Sequence, residues 1–461
     1  MEKWQLNEIA GLFGARLAAD AEITEICTDS RAIAPGCLFI ALEGERFDGH
    51  DFVADAFAKG AAAAVCRKRV TQGEEPVIYV KDTLRALITI GCAYRLKYEL
   101  PVVAITGSVG KTTTKDMVAC AIGSQRKTLK TEGNRNNEIG LPLTLLNLDK
   151  SYEAAVIEMG MTHFGDLSLL TAATLPCMAI ITNIGVSHIE NLGSRENIFK
   201  AKLEIAEGLP QGGTLVLNYD DDLLCTVKRL WSLHILSYGI DSTEAAVRAQ
   251  NILEADGETA FDICYQGETY PVRIPCVGRH NVYNALSAFC ASVVLGLDLY
   301  KSVAALSGYS PSGMRQHLVQ KGGMTVIEDC YNASPDSMKA ALSTLRSVKG
   351  EGRAIAVLAD MLELGSYSQK AHEDVGRMVG ESHTDVLIAW GVEAVHIAQA
   401  ARQAGVKEVH YFTEKQSAAQ KLCELAQEGD TILFKGSRGM RLEEMIERLY
   451  KSLEQTARQL G

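Results

Sequence analysis

Residues 102–118 carry the feature that most restricts how this chain can fold. The apolar segment Val-Val-Ala-Ile-Thr runs directly into Gly-Ser-Val-Gly-Lys-Thr, and a helical sequence follows. A buried strand, a glycine-rich turn and a helix in this order form a phosphate-binding loop in parallel α/β proteins. The usual motif has a further glycine at the position that Ile105 holds here. Because both flanking elements are present, the segment still predicts a phosphate site within a parallel sheet.

The side chains of this loop predict a nucleoside triphosphate as the ligand. Backbone N–H groups between Gly107 and Gly110 are expected to point into one concavity at the start of the helix. Lys111 would place its charge on the β- and γ-phosphates, and the Thr112 hydroxyl would reach Mg²⁺. The predicted nucleotide contacts in this loop are Gly107, Ser108, Val109, Gly110, Lys111, Thr112 and Thr113.

The composition limits the classes of protein to which the chain can belong. Its 461 residues are enough for two to four domains, and its net charge of −11 leaves no basic surplus for general binding to nucleic acid or acidic membranes. No apolar run reaches about 18 residues and no signal-peptide core follows Met1, so we expect a cytoplasmic protein without a membrane span. The twelve cysteines include no C-x-x-C pair and suit buried apolar positions better than zinc sites or disulfides.

Apolar strands alternate with helical segments along the whole chain, which predicts an α/β fold with three domains. Residues 1–98 form a small α/β unit, and residues 99–312 form a parallel, doubly wound sheet with an antiparallel addition near 247–274. Residues 313–461 form a second doubly wound, Rossmann-like domain without the dinucleotide motif G-x-G-x-x-G. Ligands of such sheets lie at the carboxyl ends of strands, so polar residues that follow strands are the candidates for a site.

Three polar residues of the central domain are candidates for metal binding and catalysis, and each has a simpler alternative. Glu158 ends a strand beside the loop, where its carboxylate could bind the Mg²⁺ of a nucleotide or pair with a lysine. His188 follows another strand and could equally be an ordinary polar loop residue. Lys202 lies in a helix, where the alternative is a solvent-exposed face with a Lys200–Glu204 ion pair.

Amide side chains are concentrated between residues 131 and 142. Asn134, Asn136 and Asn137 precede a helix there. Their donors and acceptors suit a peptide or sugar ligand, and turn or capping contacts are the alternative.

Polar loops also follow three strands of the last predicted domain. They lie at residues 328–337, 360–365 and 435–441. Because carboxyl ends of parallel strands share one edge of a sheet, these loops would form one rim that faces a cleft.

The central motifs together resemble the ATP-dependent Mur ligases of peptidoglycan synthesis. They read Ile-Thr-Gly-Ser-Val-Gly-Lys-Thr-Thr-Thr, Thr-x-Gly-Asn-x-Asn-Asn-x-x-Gly-x-Pro, Glu-Met-Gly-Met, Asn-Ile-Gly-x-x-His and Ala-Lys-x-Glu. Residues 28–31 and 38–52 resemble the N-terminal domain of this family. Residues 331–337, 361–365 and 434–440 resemble its C-terminal domain. The resemblance therefore covers all three predicted domains in order.

The departures from the family pattern are small, because Ser187, Ser334 and Ala359 stand where the family more often has other small residues. The Asp-Asn-Pro-Arg motif of the ligase that adds the third peptide residue is absent. The resemblance therefore implies the later step, in which ATP drives the joining of D-alanyl-D-alanine to UDP-N-acetylmuramoyl-tripeptide through an acyl phosphate. Alternatives are another amide ligase of this superfamily, such as the tripeptide-forming ligase or folylpolyglutamate synthase, and a nucleotide switch, whose Asn-Lys-x-Asp motif is missing.

The resemblance also implies roles for individual residues. Thr112 and Glu158 would hold one Mg²⁺ ion, and His188 and Lys202 a second, with Lys202 carrying a carbamate. Lys111, His188 and Lys202 would be the catalytic residues. Further contacts with ATP would come from Asn281, Arg315, Asp329 and Asn332. The substrate would contact Ser30, Arg31, Thr131, Asn134, Asn136, Asn137 and Lys435, the first two near the uridine diphosphate. We expect a monomer whose three domains close around ATP and the two peptides.

Overall fold

The computed structural model describes residues 1–44, 47–70, 75–255, 257–311 and 313–460. It is an α/β protein whose strands form three largely parallel sheets and one short antiparallel pair. The predicted fold class is therefore confirmed. Among the described helices, none combines the length and the apolar character needed to span a bilayer.

The N-terminal part of the chain carries a small parallel sheet. Its elements are β1 (Trp4–Gln5), α1 (Leu6–Gly11), β2 (Glu22–Ile23), β3 (Glu25–Cys27), β4 (Cys37–Ile40), α2 (Val53–Ala58), β5 (Ala63–Cys66), β6 (Val77–Tyr79) and α3 (Thr83–Arg95). The sheet has the order β3-β4-β5-β6, and β1 pairs antiparallel with β2 outside it. Helix α3 begins at Asp82, whose carboxylate accepts a hydrogen bond from the Arg85 N–H and so caps the first turn.

The central part of the chain forms a nine-stranded sheet. Its elements are β7 (Val102–Thr106), α4 (Lys111–Gly123), β8 (Thr128–Lys130), α5 (Gly140–Leu145), β9 (Ala154–Glu158), α6 (Asp166–Thr174), β10 (Met178–Ile181), α7 (Ile189–Leu192), α8 (Arg195–Leu203), β11 (Thr214–Asn218), β12 (His234–Gly239), β13 (Val247–Ala255), β14 (Glu258–Tyr265), β15 (Glu268–Ile274), α9 (Arg279–Val294) and α10 (Leu299–Ala305). The order is β15-β14-β13-β12-β11-β10-β7-β9-β8. Strands β14 and β15 pair antiparallel beside β13 and extend the parallel strands, as the alternating pattern near 247–274 predicts.

The strand order places the phosphate loop at a switch point of the central sheet. Strand β7 pairs with β10 on one side and with β9 on the other. The chain therefore adds β8 and β9 on one side of β7 and then crosses to the other side to add β10. A crevice opens at the carboxyl ends of strands where the order reverses. The loop between β7 and α4 lies at this crevice.

The C-terminal part of the chain forms a six-stranded sheet. Its elements are β16 (His317–Lys321), β17 (Met324–Glu328), α11 (Pro335–Val348), β18 (Ala354–Ala359), α12 (Ser368–Glu381), β19 (Val386–Trp390), α13 (Ala394–Gln403), β20 (Glu408–Phe412), α14 (Lys415–Leu425), β21 (Thr431–Lys435) and α15 (Glu443–Leu460). The strand order is β16-β17-β21-β18-β19-β20. Strand β16 pairs antiparallel with β17, and the other pairs are parallel. Short 3-10 helices span Gly49–Phe52, Glu204–Gly208, Leu224–Thr226, Leu306–Gly308, Gly365–Tyr367 and Arg438–Met440.

Apolar packing joins the first two sheets but leaves the third with cores of its own. One continuous core contains residues of the N-terminal sheet, such as Leu38 and Val65, together with Leu87 of α3 and Leu141 of α5. Gly91 allows these two helices to approach, since a Cβ there would lie 2.8 Å from the Cβ of Pro142. The C-terminal sheet is covered on its two faces by separate apolar clusters.

Most predicted strands are present, and the sequence analysis missed three strands of the two larger sheets. The strands predicted at 102–106, 154–158 and 178–182 correspond to β7, β9 and β10. The missed strands are β8, β12 and β16. Strand β8 has only three residues, and β12 and β16 each begin with an exposed histidine and mix polar with apolar side chains, so no long apolar or alternating run predicted them.

Candidate active site

A cavity of about 680 Å³ opens where the phosphate loop meets loops from the C-terminal part of the chain. Most of the site residues predicted from the sequence line it. They are Ser108, Val109, Gly110, Lys111, Thr112, Thr113, Asn134, Asn136, Asn137, Glu158, His188, Asn281, Arg315, Asp329, Asn332 and Lys435. Loops far apart in sequence thus converge on one site, as the positions of polar residues after the strands indicated.

Two glycines make the shape of the phosphate loop possible. Gly107 has a φ of 152°, and a Cβ at this position would overlap the Thr182 hydroxyl. Gly110 stands at the N-cap of α4 with a φ of 85°, a left-handed conformation that favours glycine. The loop therefore needs glycine at both positions, for space at the first and for backbone conformation at the second.

Fewer backbone N–H groups face the concavity of the phosphate loop than the sequence predicted. The N–H of Ser108 donates to the Asn183 carbonyl at 3.1 Å, and the N–H of Val109 donates to Asn183 Oδ1 at 3.0 Å. Two of the predicted phosphate donors are therefore bonded to the loop after β10. This corrects the expectation that all N–H groups from Gly107 to Gly110 face the concavity. The sequence analysis assigned no role to Asn183, although this residue begins the Asn-Ile-Gly-x-x-His motif.

Lys111 begins α4 and bends back over the loop. Its Nζ donates to the carbonyl oxygens of Gly107 at 2.8 Å and Ser108 at 3.4 Å. Desolvation lowers the pKa of this lysine, and the nearby Glu158 carboxylate opposes that shift. An ammonium group held by neutral carbonyls at a helix N-terminus can transfer its hydrogen bonds to phosphate oxygens.

Glu158 lies at the end of β9, where its carboxylate accepts two side-chain hydrogen bonds. The Thr112 hydroxyl donates to Oε2 and the Asn136 amide donates to Oε1, both at 2.7 Å. Glu158 is 1% exposed, and no lysine of the described residues pairs with its carboxylate, so the simple ion-pair alternative does not describe it. The backbone N–H of Glu158 donates to the hydroxyl of Thr131, which is fully buried. Thr131 therefore positions Glu158 through this hydrogen bond and is not part of the cavity lining.

His188 meets a carboxylate from the C-terminal part of the chain. Its Nδ1 lies 3.0 Å from Glu363 Oε2, within ion-pair distance. The two groups are not aligned as a hydrogen bond, and Nδ1 remains a buried nitrogen without one. Both residues have left-handed backbone, with φ values of 63° and 64°. Such conformations cost free energy in residues other than glycine and are found where the surrounding structure requires them.

Lys202 lies in α8 and is buried, with 2% of its surface exposed. The solvent-exposed alternative is therefore wrong for this residue, and Glu204 instead accepts hydrogen bonds from the backbone N–H groups of Gly165 and Ser168. Within the described part of the chain, Lys202 Nζ makes neither a hydrogen bond nor an ion pair. Desolvation and the charge of Lys111 hold the pKa of Lys202 well below its ordinary value.

Amides form a network at the end of the cavity near α9. Asn281 is 3% exposed and donates to the Val277 carbonyl at 2.8 Å and to Gln316 Oε1 at 3.2 Å. His280 Nε2 contacts the same Gln316 oxygen at 2.7 Å. Gln316 follows Arg315, so a residue just before the C-terminal sheet connects the amides of α9 to that sheet. The sequence analysis did not predict a role for Gln316, because this residue belongs to no recognised motif.

Two further predicted residues of the cavity are held by contacts within the C-terminal part of the chain. The guanidinium carbon of Arg315 lies 3.9 Å from the ring centroid of Tyr331, a cation–π arrangement. Lys435 is 2% exposed, and its Nζ donates to Asp329 Oδ2 at 2.7 Å and to the Asn332 carbonyl at 3.1 Å. Lys435 therefore connects the end of β21 to the loop after β17.

Ser30 and Arg31 lie in the N-terminal part and do not line this cavity. The Arg31 guanidinium pairs with Asp29 at 2.7 Å, and its side chain is 88% exposed. The Ser30 carbonyl accepts a hydrogen bond from Lys59 Nζ at 2.6 Å. A second ligand region that includes these residues remains a prediction.

Comparison with known proteins gives a consistent result along the chain. The family models described as Mur ligase family catalytic domain, Mur ligase middle domain and Mur ligase glutamate ligase domain match residues 22–95, 105–292 and 314–438. UDP-N-acetylmuramoyl-tripeptide–D-alanyl-D-alanine ligase of Bacillus subtilis (strain 168) is 41% identical over 431 residues, which cover 93% of each chain. The protein of the same description from Escherichia coli (strain K12) is 35% identical and covers 97% of this chain and 98% of its own.

Solved structures agree over almost the whole length. A crystal structure of MurF from Acinetobacter baumannii superimposes with a TM-score of 0.90 at 32% identity, over 98% of this chain and 99% of that chain. The structure of MurF ligase from Thermotoga maritima in complex with ADP gives a TM-score of 0.85 at 27% identity, over 94% and 98%. Fold and site together define a phosphate-loop protein with three α/β units, in which the central and C-terminal units line one cavity. The chain belongs to the Mur ligase family.

Proposed function

We propose that this protein is the ATP-dependent ligase that joins D-alanyl-D-alanine to UDP-N-acetylmuramoyl-tripeptide in peptidoglycan precursor synthesis. The observation that carries this proposal is the cavity in which Lys111, Thr112 and Glu158 face the amide cluster and the loops of the C-terminal sheet. The names of relatives that are 41% and 35% identical over nearly the full chain support the same reaction.

The reaction needs charge neutralisation and positioning more than a protein nucleophile. A carboxylate oxygen of the tripeptide attacks the γ-phosphorus of ATP, the bond to ADP breaks, and an acyl phosphate forms. The amine nitrogen of the dipeptide then attacks the acyl carbon, the amide bond forms as phosphate leaves, and the nitrogen gives up its proton. Lys111 stabilises the negative charge that grows on the transferred phosphoryl group. The hydrogen bonds that its Nζ makes with loop carbonyls can be exchanged for bonds to phosphate oxygens, which suits this role.

The residues around Glu158 fit a Mg²⁺ ion. Glu158 and Thr112 present two oxygen atoms 2.7 Å apart beside the cavity, and hard cations prefer oxygen ligands. When bound, Mg²⁺ would neutralise charge on the β- and γ-phosphates. Asn136 fixes the second oxygen of Glu158, so the carboxylate is oriented before nucleotide arrives.

The burial of Lys202 supports the carbamate proposed for it. A buried ammonium group without a partner is costly, and an uncharged amine is the form that reacts with carbon dioxide. A carbamate would supply the oxygen ligands that a second Mg²⁺ beside His188 needs. A ¹³C resonance of carbamate in protein equilibrated with ¹³C-bicarbonate, lost in Lys202→Ala and kept in Lys200→Ala, tests this without any measurement of activity.

The substrates would enter from two sides. The uridine diphosphate would lie near Ser30 and Arg31, and the peptide end would reach Asn134, Asn136, Asn137 and Lys435. The dipeptide would arrive from the C-terminal side, where Glu363 and Ser334 line the cavity. All of these groups belong to one chain, so we expect the monomer to be active, which light scattering during turnover can check.

A coupled assay of ADP release tests the proposed function. ADP release should require UDP-N-acetylmuramoyl-tripeptide and D-alanyl-D-alanine together, and mass spectrometry should find the pentapeptide product. Release with folate and glutamate, or release without any peptide, would replace the proposal with one of the two alternatives. A panel of tripeptides that differ in the third residue would then define the substrate.

A further inference from the structure

A close contact joins the C-terminal part of the chain to the loop after β10. Asp336 is the second residue of α11, and its Oδ2 lies against the α-carbon of Gly185, where a Cβ would overlap it. The N–H of Val186 points at the same carboxylate. The backbone of Gly185 is not left-handed in this structure. Glycine is therefore needed at this position for space rather than for conformation.

The opposite side of Gly185 touches the phosphate loop. Its N–H donates to the Ser108 hydroxyl at 2.8 Å, and the position of an added Cβ would be 3.2 Å from the Ser108 Cβ. Ser108 is 7% exposed and follows the first glycine of the loop. A single glycine thus separates a carboxylate of the C-terminal part from the phosphate loop.

The neighbouring backbone is already fixed by the central sheet. The Ile184 N–H donates to Asp221 Oδ2 at 2.7 Å, and Arg195 donates to the Ile184 carbonyl at 2.8 Å. Asn183 bonds the backbone of Val109 through its side chain. A displacement of Gly185 should therefore move the phosphate loop, because hydrogen bonds hold the residues on the N-terminal side of Gly185 in place.

We propose that Asp336 is a positioning residue, and that its contact with Gly185 couples docking of the C-terminal domain to the shape of the phosphate loop. The inference rests on the proposed function for its catalytic consequence. Docking brings the carboxylate onto the backbone of Gly185 and Val186, which holds Ser108 and the loop in the arrangement that phosphoryl transfer requires. Without docking, nucleotide would still bind to the central domain, but the transfer step would be slow.

A pair of substitutions tests the contact directly. Gly185→Ala should lower kcat on the order of 100-fold, the scale of a misplaced reacting group, while the Kd for ADP stays nearly constant. Asp336→Ala loses the contact but adds no overlap, so it should lower kcat by only about tenfold. The double variant Gly185→Ala/Asp336→Ala also lacks the overlapping oxygen, so it should return to within about threefold of Asp336→Ala alone. Asp336→Asn keeps an oxygen acceptor and should keep kcat. Gly123→Ala is the matched control, since its added methyl group meets nothing within 4 Å.

Two outcomes would overturn the proposal: full activity in Gly185→Ala, or a double variant as slow as Gly185→Ala. Small-angle scattering separates this result from the proposed function, because it needs no peptide substrate. Gly185→Ala should have a larger radius of gyration than the unchanged protein, and the double variant should recover the smaller value. If the radii behave in this way and no ligation is found, the docking contact is supported and the proposed reaction is wrong. Equal radii in all variants would show that the contact between Asp336 and Gly185 does not control docking.

Discussion

His188 of the central domain and Glu363 of the C-terminal domain meet at 3.0 Å across the cavity, and both have left-handed backbone. A histidine that binds a metal through one ring nitrogen usually has a carboxylate near the other. Glu363 approaches Nδ1, which leaves Nε2 for the cavity. The proposed second metal site therefore depends on groups from two domains, and it is complete only when these domains are docked.

Glu363→Gln should lower kcat by about 10–100-fold, the range found when outer-shell partners of a metal site are lost. The amide cannot act as the anionic partner of the imidazole, although its shape is unchanged. Nucleotide affinity should stay the same, since the ion-pair partner of Glu363 is His188 and not a group of the phosphate loop. Steady-state kinetics and ADP titration measure both, with the exposed Glu351→Gln as control. A loss of ADP affinity equal to the loss of kcat would contradict this role.

Lys111→Ala should abolish turnover, with a loss on the order of 10³-fold or more, because a charge on the transferred phosphoryl group is removed. The fold should persist, since within the described residues the hydrogen bonds of Lys111 Nζ go to two carbonyl oxygens of its own loop. Circular dichroism and thermal unfolding establish that point beside the ADP-release assay. Substantial activity in this variant would rule out the phosphate-loop assignment.

Glu158→Gln should raise the Mg²⁺ concentration needed for half-maximal activity by about tenfold or more, since an anionic ligand is replaced by a neutral one. The Thr112 hydroxyl can still donate to the amide oxygen, so the loop itself should keep its shape. A Mg²⁺ titration of ADP release measures the change. Glu132→Gln, an exposed change in the same region, serves as the control, and equal Mg²⁺ curves for both variants would count against a metal at Glu158.

Lys202→Met should increase thermal stability in buffer free of carbon dioxide and eliminate ligation. The substitution replaces a buried, unpaired amine by an apolar side chain of similar length, and buried charges without partners are destabilising. Calorimetry of Lys202→Met and of the exposed variant Lys200→Met provides the comparison. A lower melting temperature for Lys202→Met than for Lys200→Met would indicate that the amine has a stabilising partner.

Asp48→Asn should lower stability at neutral pH, and the effect should fade in acid. The Lys68 ammonium and the N–H groups of His50 hold the pKa of Asp48 well below its ordinary value. A carboxylate with a lowered pKa stabilises the fold above the ordinary value of about 3.9, and this contribution is lost as pH falls below it. Thermal unfolding between pH 7 and about 2, with exposed Asp51→Asn as control, follows the change. A difference that does not depend on pH would exclude the charge as its cause.

The phosphate loop and the parallel sheets were predictable because they depend on local order: an apolar strand, two glycines and a helix. The positions of Glu158 and His188 followed from their places after strands. The functions of Asn183, Gln316 and Glu363 were not predictable from spacing, since each depends on a partner more than 35 residues away or on another domain. The burial of Lys202 was also not predictable, because the charged residues near it in the helix indicate a solvent-exposed face.

The core shared by the N-terminal and central sheets has a mechanical consequence. Separating them would expose side chains such as Leu87 and Leu141 to water, at about 25 cal/mol for each Å² of apolar surface. We therefore expect the N-terminal and central sheets to keep one fixed arrangement while the C-terminal sheet moves against them. If the ligand reaches from Arg31 to Lys111, as proposed, the distance that it must span is set when the protein folds and not by the closing of a hinge.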